Sequence, residues 1–324
     1  MRKKALVLFS GGLDSLLSAK ILKEQGIVTE GLYLENPFIT TPKEKIKKIA
    51  QQIPLKIHFI SPAPGFYQQI LNPQHGRGKN LNPCLDCRLY LFKVAKLFAK
   101  NNYFLASGEV LGERPFSQTK ASLTLLDKKS ALVGKILRPL SAALLPQTQM
   151  ECQGLVKREK LLGLSGRSRK PQLALAKKWH LKGYLTPAGG CLLTDLSFCR
   201  KAEYFFQKKI LNQSIIELLK VGRHFDFQNT RVVIGRNQKE NHTLISLALQ
   251  NHWPHAEIKN YPSPVGVIFP SKKPLSQNLL KSASTLVAFY SDVPPKKQIS
   301  LRWQNTPFPA QIIKTPKSIK LKPI

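Results

Sequence analysis

Residues 4–15 read KALVLFSGGLDS. Lys4–Ser10 is an apolar run of strand length, and Asp14–Gln25 places Leu16, Leu17, Ile21 and Leu22 at helical spacing. The paired glycines between them permit a tight turn in which backbone N–H groups converge, and a helix start adds positive potential. A strand, a glycine turn and a helix in that order cradle an anion, above all a phosphate. Ser10 and Ser15 offer hydroxyl donors, and Asp14 offers a carboxylate for a divalent cation. The stretch is not a Walker A loop, because the lysine of GxxxxGK[ST] is absent.

The alternation continues outward. Val28–Leu34 and Leu55–Ile60 read as strands around a Lys-faced helix at Thr41–Gln52; Arg88–Lys100 reads as a helix, Tyr103–Ala106 and Lys135–Leu137 as further strands. This rhythm predicts the α/β class, a doubly wound parallel sheet. Near residue 195 the pattern changes to a helix at Ser197–Leu211, short β runs at Arg231–Ile234 and Val265–Phe269, and a helix at Glu240–Gln250, a smaller α+β domain. The expected division is 1–195, 196–292, and a basic, Pro-rich tail over 293–324, extended and partly disordered.

Of 324 residues, 51 are Lys or Arg and 18 are Asp or Glu, a net charge of +33. At 42% hydrophobic the chain has the apolar content of a folded protein. No stretch approaches the ~18 apolar residues of a membrane span, and the apolar run Ala5–Phe9 is too short for a signal peptide. Such a charge asks for a polyanion, nucleic acid first. Lys157–Lys182 carries nine Lys or Arg against one acid, Glu159; Arg167, Arg169 and Lys170 are its candidate RNA phosphate contacts. Five cysteines, odd in number and sparse, argue against a disulfide scaffold and for a reducing, cytoplasmic setting.

Cys84 and Cys87 form a CxxC in a Gly/Pro/Asn-rich loop, and Cys191 follows Gly189-Gly190. Thiolates near basic residues are expected to have a lowered pKa and to be nucleophilic. Two cysteines fall short of a tetrahedral zinc site; with Cys191 they would suit a [4Fe–4S] cluster with one iron open. The competing reading is a persulfide on one cysteine that another resolves. Cys152 and Cys199 lack such loops and read as structural. His75, Arg77 and Lys79 in the first loop are candidate RNA contacts. Glu109 and Glu113 lie beyond a strand and face the expected crevice, and Arg138 is placed to neutralise charge there.

Ser10–Ser15 resembles the PP-loop, SGGxDS, of the ATP pyrophosphatase superfamily, whose members split ATP between the α and β phosphates and pass AMP to a substrate oxygen. Together with Asn82–Arg88 (NPCLDCR) and Gly189–Cys191, the chain is similar to the tRNA thiouridine synthases. The NPCxxC segment resembles that of the 2-thiouridylases. A fuller likeness, to 4-thiouridine-synthetase-like proteins, runs through Ser107–Gly112 (SGEVLG), Arg138–Leu140, Ser165–Arg169 (SGRSR) and Pro187–Asp195 (PAGGCLLTD), about residues 4–195. The resemblance implies an ATP-dependent tRNA sulfurtransferase. Ser10, Gly11, Gly12, Asp14, Ser15 and Arg138 would hold ATP and Mg²⁺, with Asp14, Cys84, Cys87 and Cys191 catalytic. The sulfur would come from a persulfide carrier or sulfide.

No THUMP-like domain precedes the PP-loop, so RNA contacts are expected from the C-terminal half. Val233–Asn237 (VIGRN), Asn241, Leu244 and Trp253–Ala256 (WPHA) resemble the RNA-binding domain of the fibronectin-binding/ribosome-quality-control family. Arg236 would contact phosphate and Trp253 would stack on a base. Two alternatives stand: a non-catalytic RNA-binding factor with a retained nucleotide fold, and another PP-loop tRNA-modifying ligase, which would not need the cysteines.

Overall fold

The computed structural model describes residues 4–100, 102–185, 190–227, 229–269, 275–304, 309–313 and 323–324, with 309–313 described by backbone alone. The chain divides into two compact units, Met1–Thr194 and Asp195–Ile324.

The first unit runs β1 (Lys4–Leu8), α1 (Leu13–Glu24), β2 (Thr29–Leu34), α2 (Lys43–Gln51), β3 (Lys56–Ile60), α3 (Pro64–Leu71), α4 (Cys84–Ala99), β4 (Tyr103–Ser107), α5 (Lys120–Lys129), β5 (Ile136–Leu137), α6 (Gln149–Cys152) and α7 (Lys170–Lys178). Its sheet has the order β3-β2-β1-β4-β5, and every pair is parallel. Covered by helices on both faces, β1 is buried from Ala5 to Leu8, which is why it reads as a continuous apolar run. On one face Leu13, Leu16 and Leu17 of α1 share a core with Ile46 and Ile49 of α2. On the other, Leu85, Leu89 and Phe92 of α4 pack with Leu6 and Leu105.

The chain winds outward from β1 to β2 and β3, then returns to lay β4 on the opposite side of β1. That reversal opens a crevice at the carboxyl ends of β1 and β4, where ligands bind in such sheets. SGGLDS follows β1 and SGE follows β4, so both motifs line it. Helices α3, α5, α6 and α7 are additions to the sequence reading; α7 there was only part of a charge run.

The second unit holds α8 (Leu196–Gln207), α9 (Gln213–Lys220), β6 (Arg223–Phe227), β7 (Thr230–Ile234), α10 (Gln238–Asn251), β8 (His255–Ala256), β9 (Gly266–Phe269), α11 (Gln277–Phe289), β10 (Gln298–Arg302) and β11 (Pro309–Ile313). An antiparallel sheet of order β6-β7-β9-β8 packs on α11, and β10 pairs with β11. The expected disordered tail is corrected here for residues 293–304. Val293, Leu301 and Trp303 are buried in the same core as Ile234, Ile268 and Leu286, and the Trp303 indole N–H donates to Ser284 Oγ at 2.8 Å. Proline and lysine content concealed three apolar anchors.

Candidate active site

The PP-loop is fixed by backbone geometry and by its own serines. Gly11 has φ +76°, and a Cβ there would lie 2.7 Å from Ile46 Cδ1, so only glycine fits. Gly12 caps α1 without any side-chain hydrogen bond, which leaves the first-turn N–H groups unclaimed by a side-chain cap. Ser10 is exposed at the mouth of the crevice. Ser15 departs from its expected role: its buried Oγ donates to Gly12 O at 2.9 Å and accepts from Ser10 N–H at 3.2 Å. Its hydroxyl shapes the loop rather than facing a phosphate.

Asp14 does face the crevice, and its partner is Arg169, whose Nη2 lies 3.2 Å from both carboxylate oxygens. Arg169 therefore leaves the RNA-contact set and joins the PP-loop. Burial raises the Asp14 carboxyl, against the opposing pull of Arg169 and Arg114. Glu113 is raised by burial first and by the Asp14 charge second. Its Oε1 is 3.9 Å from Arg169 Nε. The two carboxylates thus sit around one guanidinium and fit a divalent cation by donor type. Arg167 and Lys170 remain exposed beside them, Lys170 as the first residue of α7.

Arg138 corrects a second expectation. It is 5% exposed, with Nε bonded to Glu109 at 2.9 Å and its terminal nitrogens to Asp127 at 3.0 and 2.6 Å. Its charge is spent inside the fold and does not face nucleotide. Glu109 also takes Arg88 and the Ser107 hydroxyl, and the two arginines outweigh its burial to hold the carboxyl below the ordinary range.

The three loop cysteines converge. Cys84 opens α4 and Cys87 stands one turn on, so they share a helix face. Cys191 arrives on a short bridge to Ile39, with Leu192 N–H on Phe38 O at 2.9 Å. Asn36, in the same loop, directs Nδ2 at Cys87 Sγ over 3.7 Å and accepts from Phe38 N–H. Asn80 Nδ2 holds Thr194 O at 2.9 Å, and the Cys84 thiol donates to Asn82 Oδ1. The roles of these asparagines were missed in the sequence; the only signal for Asn80 and Asn82 was the Asn-rich loop, and Asn36 lies outside it. Thr186–Gly189, the rest of the second loop, lies outside the described residues.

Cys87 departs from the expected lowered pKa. Burial, then Cys191, then Cys84 push its thiol up to about 12, against a weaker pull from Arg88, whose charge Glu109 already holds. Among the described residues no three His, Cys, Asp or Glu side chains are spaced to hold a single metal ion. Three thiols is the ligand number that a cluster with one open iron requires. Cys199 is buried in the second unit and Cys152 is exposed. His75 and Arg77 also turn inward, His75 to the buried Asp86 and Arg77 to the carbonyls of Leu81, Ile70 and Leu71.

In the second unit Trp253 is 5% exposed and packs edge-on against Phe269, ring centroids 5.4 Å apart, so it is a core residue and not a stacking platform. Arg236 stays half exposed, but its guanidinium is gripped by Glu240 one helical turn away.

Residues 1–144 match the family described as Thiamine biosynthesis protein (ThiI), and residues 222–320 match the NFACT protein RNA binding domain. The chain is similar to the tRNA-specific 2-thiouridylase MnmA of Sulfurimonas denitrificans, 29% identical over 157 residues, 43% of this chain and 46% of that one. It is 35% identical to the Campylobacter curvus enzyme of the same name over 107 residues, 31% and 32% of the two chains. The chain spans less than half the length of these relatives. A solved structure described as a predicted subunit of tRNA methyltransferase from Methanocaldococcus jannaschii superposes with a TM-score of 0.35 at 19% identity, over 54% of this chain and 76% of that one. The first unit has a PP-loop-like α/β architecture and over residues 1–144 is similar to the ThiI family, and the second is similar over residues 222–320 to the NFACT RNA-binding domain.

Proposed function

We propose that the protein is an ATP-dependent tRNA sulfurtransferase, which adenylates a uridine carbonyl oxygen and replaces that oxygen with sulfur. One observation supports the reading: the SGGLDS turn and three converging cysteines belong to the same end of one sheet. Arg88, beside Cys87, pairs with Glu109 in the loop after β4 that borders the PP-loop.

The chemistry needs both parts. A uracil carbonyl oxygen is a poor leaving group; its attack on the α phosphate releases pyrophosphate and leaves AMP in its place. A sulfur nucleophile then adds at the same carbon and expels AMP. The N–H groups at the start of α1 would cradle the phosphates, and Asp14 with Glu113 would hold Mg²⁺. Magnesium, when bound, neutralises charge on the leaving pyrophosphate. Cys84, Cys87 and Cys191 would hold a [4Fe–4S] cluster, which when bound offers an open iron for sulfide. The persulfide route uses the same residues: one cysteine delivers its outer sulfur and a second resolves it as a disulfide, which a reductant must reopen. The tRNA backbone would dock on the basic surface, including Arg167, Lys170 and the NFACT-type domain.

Incubating bulk tRNA with the full chain, ATP, Mg²⁺ and sulfide or a persulfide carrier, then digesting it for nucleoside mass spectrometry, should reveal a thiouridine. Asp14→Ala should abolish it and stop ATP–pyrophosphate exchange. Thiouridine formed equally by Asp14→Ala would refute the assignment. Iron near four per chain, lost in each of the three cysteine variants, supports the cluster route; iron-free active protein supports the persulfide.

A further inference from the structure

Arg138 shows how a structural arginine is satisfied in the first unit: Nε and both terminal nitrogens each bond a carboxylate of Glu109 or Asp127. Arg169 is held differently. One terminal nitrogen is shared between the two oxygens of Asp14 at 3.2 Å, while Nε stands 3.9 Å from Glu113, beyond hydrogen-bonding range, and is buried without a partner. The Glu113 side chain is 7% exposed, and its Oε2 is also buried without a partner. A buried polar group left unpaired is costly, and native folds rarely keep two side by side without a use for them.

The backbone holds this arrangement in place. Leu111 bridges to Ser165, and Gly166 N–H donates to Leu111 O at 2.8 Å. Gly112 and Gly166, at φ +77° and +81°, turn both segments so that Glu113 and Arg169 emerge together. Arg169 is also the N-cap residue of α7, which packs on α1, the helix bearing Asp14. Two carboxylates from separate segments therefore share one loosely fitted cation, with Arg114 as the other positive charge acting on both. A planar guanidinium fork cannot serve oxygens pointing in different directions, whereas a hard divalent ion collects them from any side.

We infer that Asp14 and Glu113 form a divalent-cation site that Arg169 fills as an internal counter-ion in the nucleotide-free chain, and that Arg169 yields the site to the cation carried by the nucleotide. The released guanidinium then turns to the phosphate oxygens arriving at the uncapped start of α1, a charge-assisted pairing stronger than the one it leaves. This rests on the phosphate-binding role proposed above for the PP-loop and is independent of the sulfur chemistry.

Mn²⁺ is the probe, with free and bound ion separated by electron paramagnetic resonance on the full chain. Without nucleotide, Arg169→Gln should bind Mn²⁺ at least about tenfold more tightly than wild type, the size of a modest coupling between competing ligands. Adding Glu113→Gln should cancel that gain. With α,β-methylene-ATP, wild type should rise to the affinity of Arg169→Gln. A folded Arg169→Gln, checked by circular dichroism, with wild-type Mn²⁺ affinity overturns the inference, as does a gain that survives Glu113→Gln. Should Arg169→Gln fail to fold, Arg169→Lys keeps one charge but cannot span both carboxylates; an intermediate gain supports the inference and none overturns it. If the analogue fails to bind wild type, the ATP reading falls, while the nucleotide-free comparison still decides this one.

Discussion

Gly108 lies against the PP-loop so closely that a Cβ on it would stand 2.5 Å from Ser15 N and 2.6 Å from Asp14 C. Backbone meets backbone there, where the loop after β4 meets the first turn of α1. A side chain cannot be accommodated by a rotamer change, because the neighbour is main chain.

Gly108→Ala should therefore displace the SGGLDS turn itself. Overpacking of this kind costs about 1–3 kcal/mol, occasionally more. Affinity for an ATP analogue, measured calorimetrically, should fall at least about tenfold, or about 1.4 kcal/mol. Gly65 in α3 is the control: nothing lies within 4 Å of its Cβ position, so Gly65→Ala should be neutral or slightly stabilising. Equal behaviour of the two variants would contradict the contact.

Arg138→Met should act on stability rather than nucleotide affinity. It removes one of the two arginines that hold buried Glu109 and takes from Asp127 the guanidinium that pairs with it. Breaking such a pair costs about 3–5 kcal/mol. The expected result is a large loss in thermal midpoint with ATP-analogue affinity unchanged at temperatures where the variant is folded. A pure affinity loss at wild-type stability would return Arg138 to the nucleotide site.

The parallel sheet and its crevice were legible because they rest on patterns local in sequence: an apolar strand, a glycine turn, a helical stripe. Charged residues were not, because their role depends on which carboxylate the fold sets beside them, one turn away or across the chain. Arg138 meets Asp127, Arg169 meets Asp14 across 155 positions, and Arg236 meets Glu240, and in each case an expected anion contact became an internal ion pair. Trp253 misled for the opposite reason: an aromatic beside Pro and His reads as an exposed platform, yet Phe269 on β9 covers its ring. Asn36 carried no signal at all, since its job is to point at a cysteine 51 residues away.

At pH 8 Cys87 should resist alkylation. A thiol pushed up from 9.0 to about 12 holds about a thousandfold less thiolate than an ordinary one. Iodoacetamide followed by peptide mass spectrometry should label exposed Cys152 first and Cys87 last. Cys191→Ala removes the second largest cause of the rise, so it should shift the pH profile of Cys87 labelling to lower pH. Labelling of Cys87 as fast as Cys152 would show that the thiol is not held protonated.

Trp303→Ala separates an anchored segment from a loose tail. The side chain is 0% exposed and bonds Ser284 on α11, so its loss should cost about 3–5 kcal/mol. Denaturant unfolding followed by circular dichroism measures it. A cost near zero would restore the picture of a disordered C-terminal extension.

The last prediction concerns acid stability and sits at the end of the sheet away from the crevice. Glu30 on β2 accepts hydrogen bonds from Lys4, Tyr103 and His58, which together overcome its burial and hold its carboxyl at about 2, below the usual 4.5. A carboxyl depressed in the folded chain stabilises it above the unfolded value and loses that contribution as pH falls toward the folded one. Wild type should therefore be more stable than Glu30→Gln at pH 6, by at most about 3 kcal/mol. The difference in thermal midpoint should narrow below pH 4.5 and vanish near pH 2. Lys4 and Tyr103 open β1 and β4, and His58 stands on β3 opposite Leu32, two residues along from Glu30, so the cluster sits at the end of the sheet away from SGGLDS and ATP-analogue affinity at pH 7 should be the same in both. A gap that stays constant from pH 6 to pH 3 would mean that Glu30 contributes through packing alone.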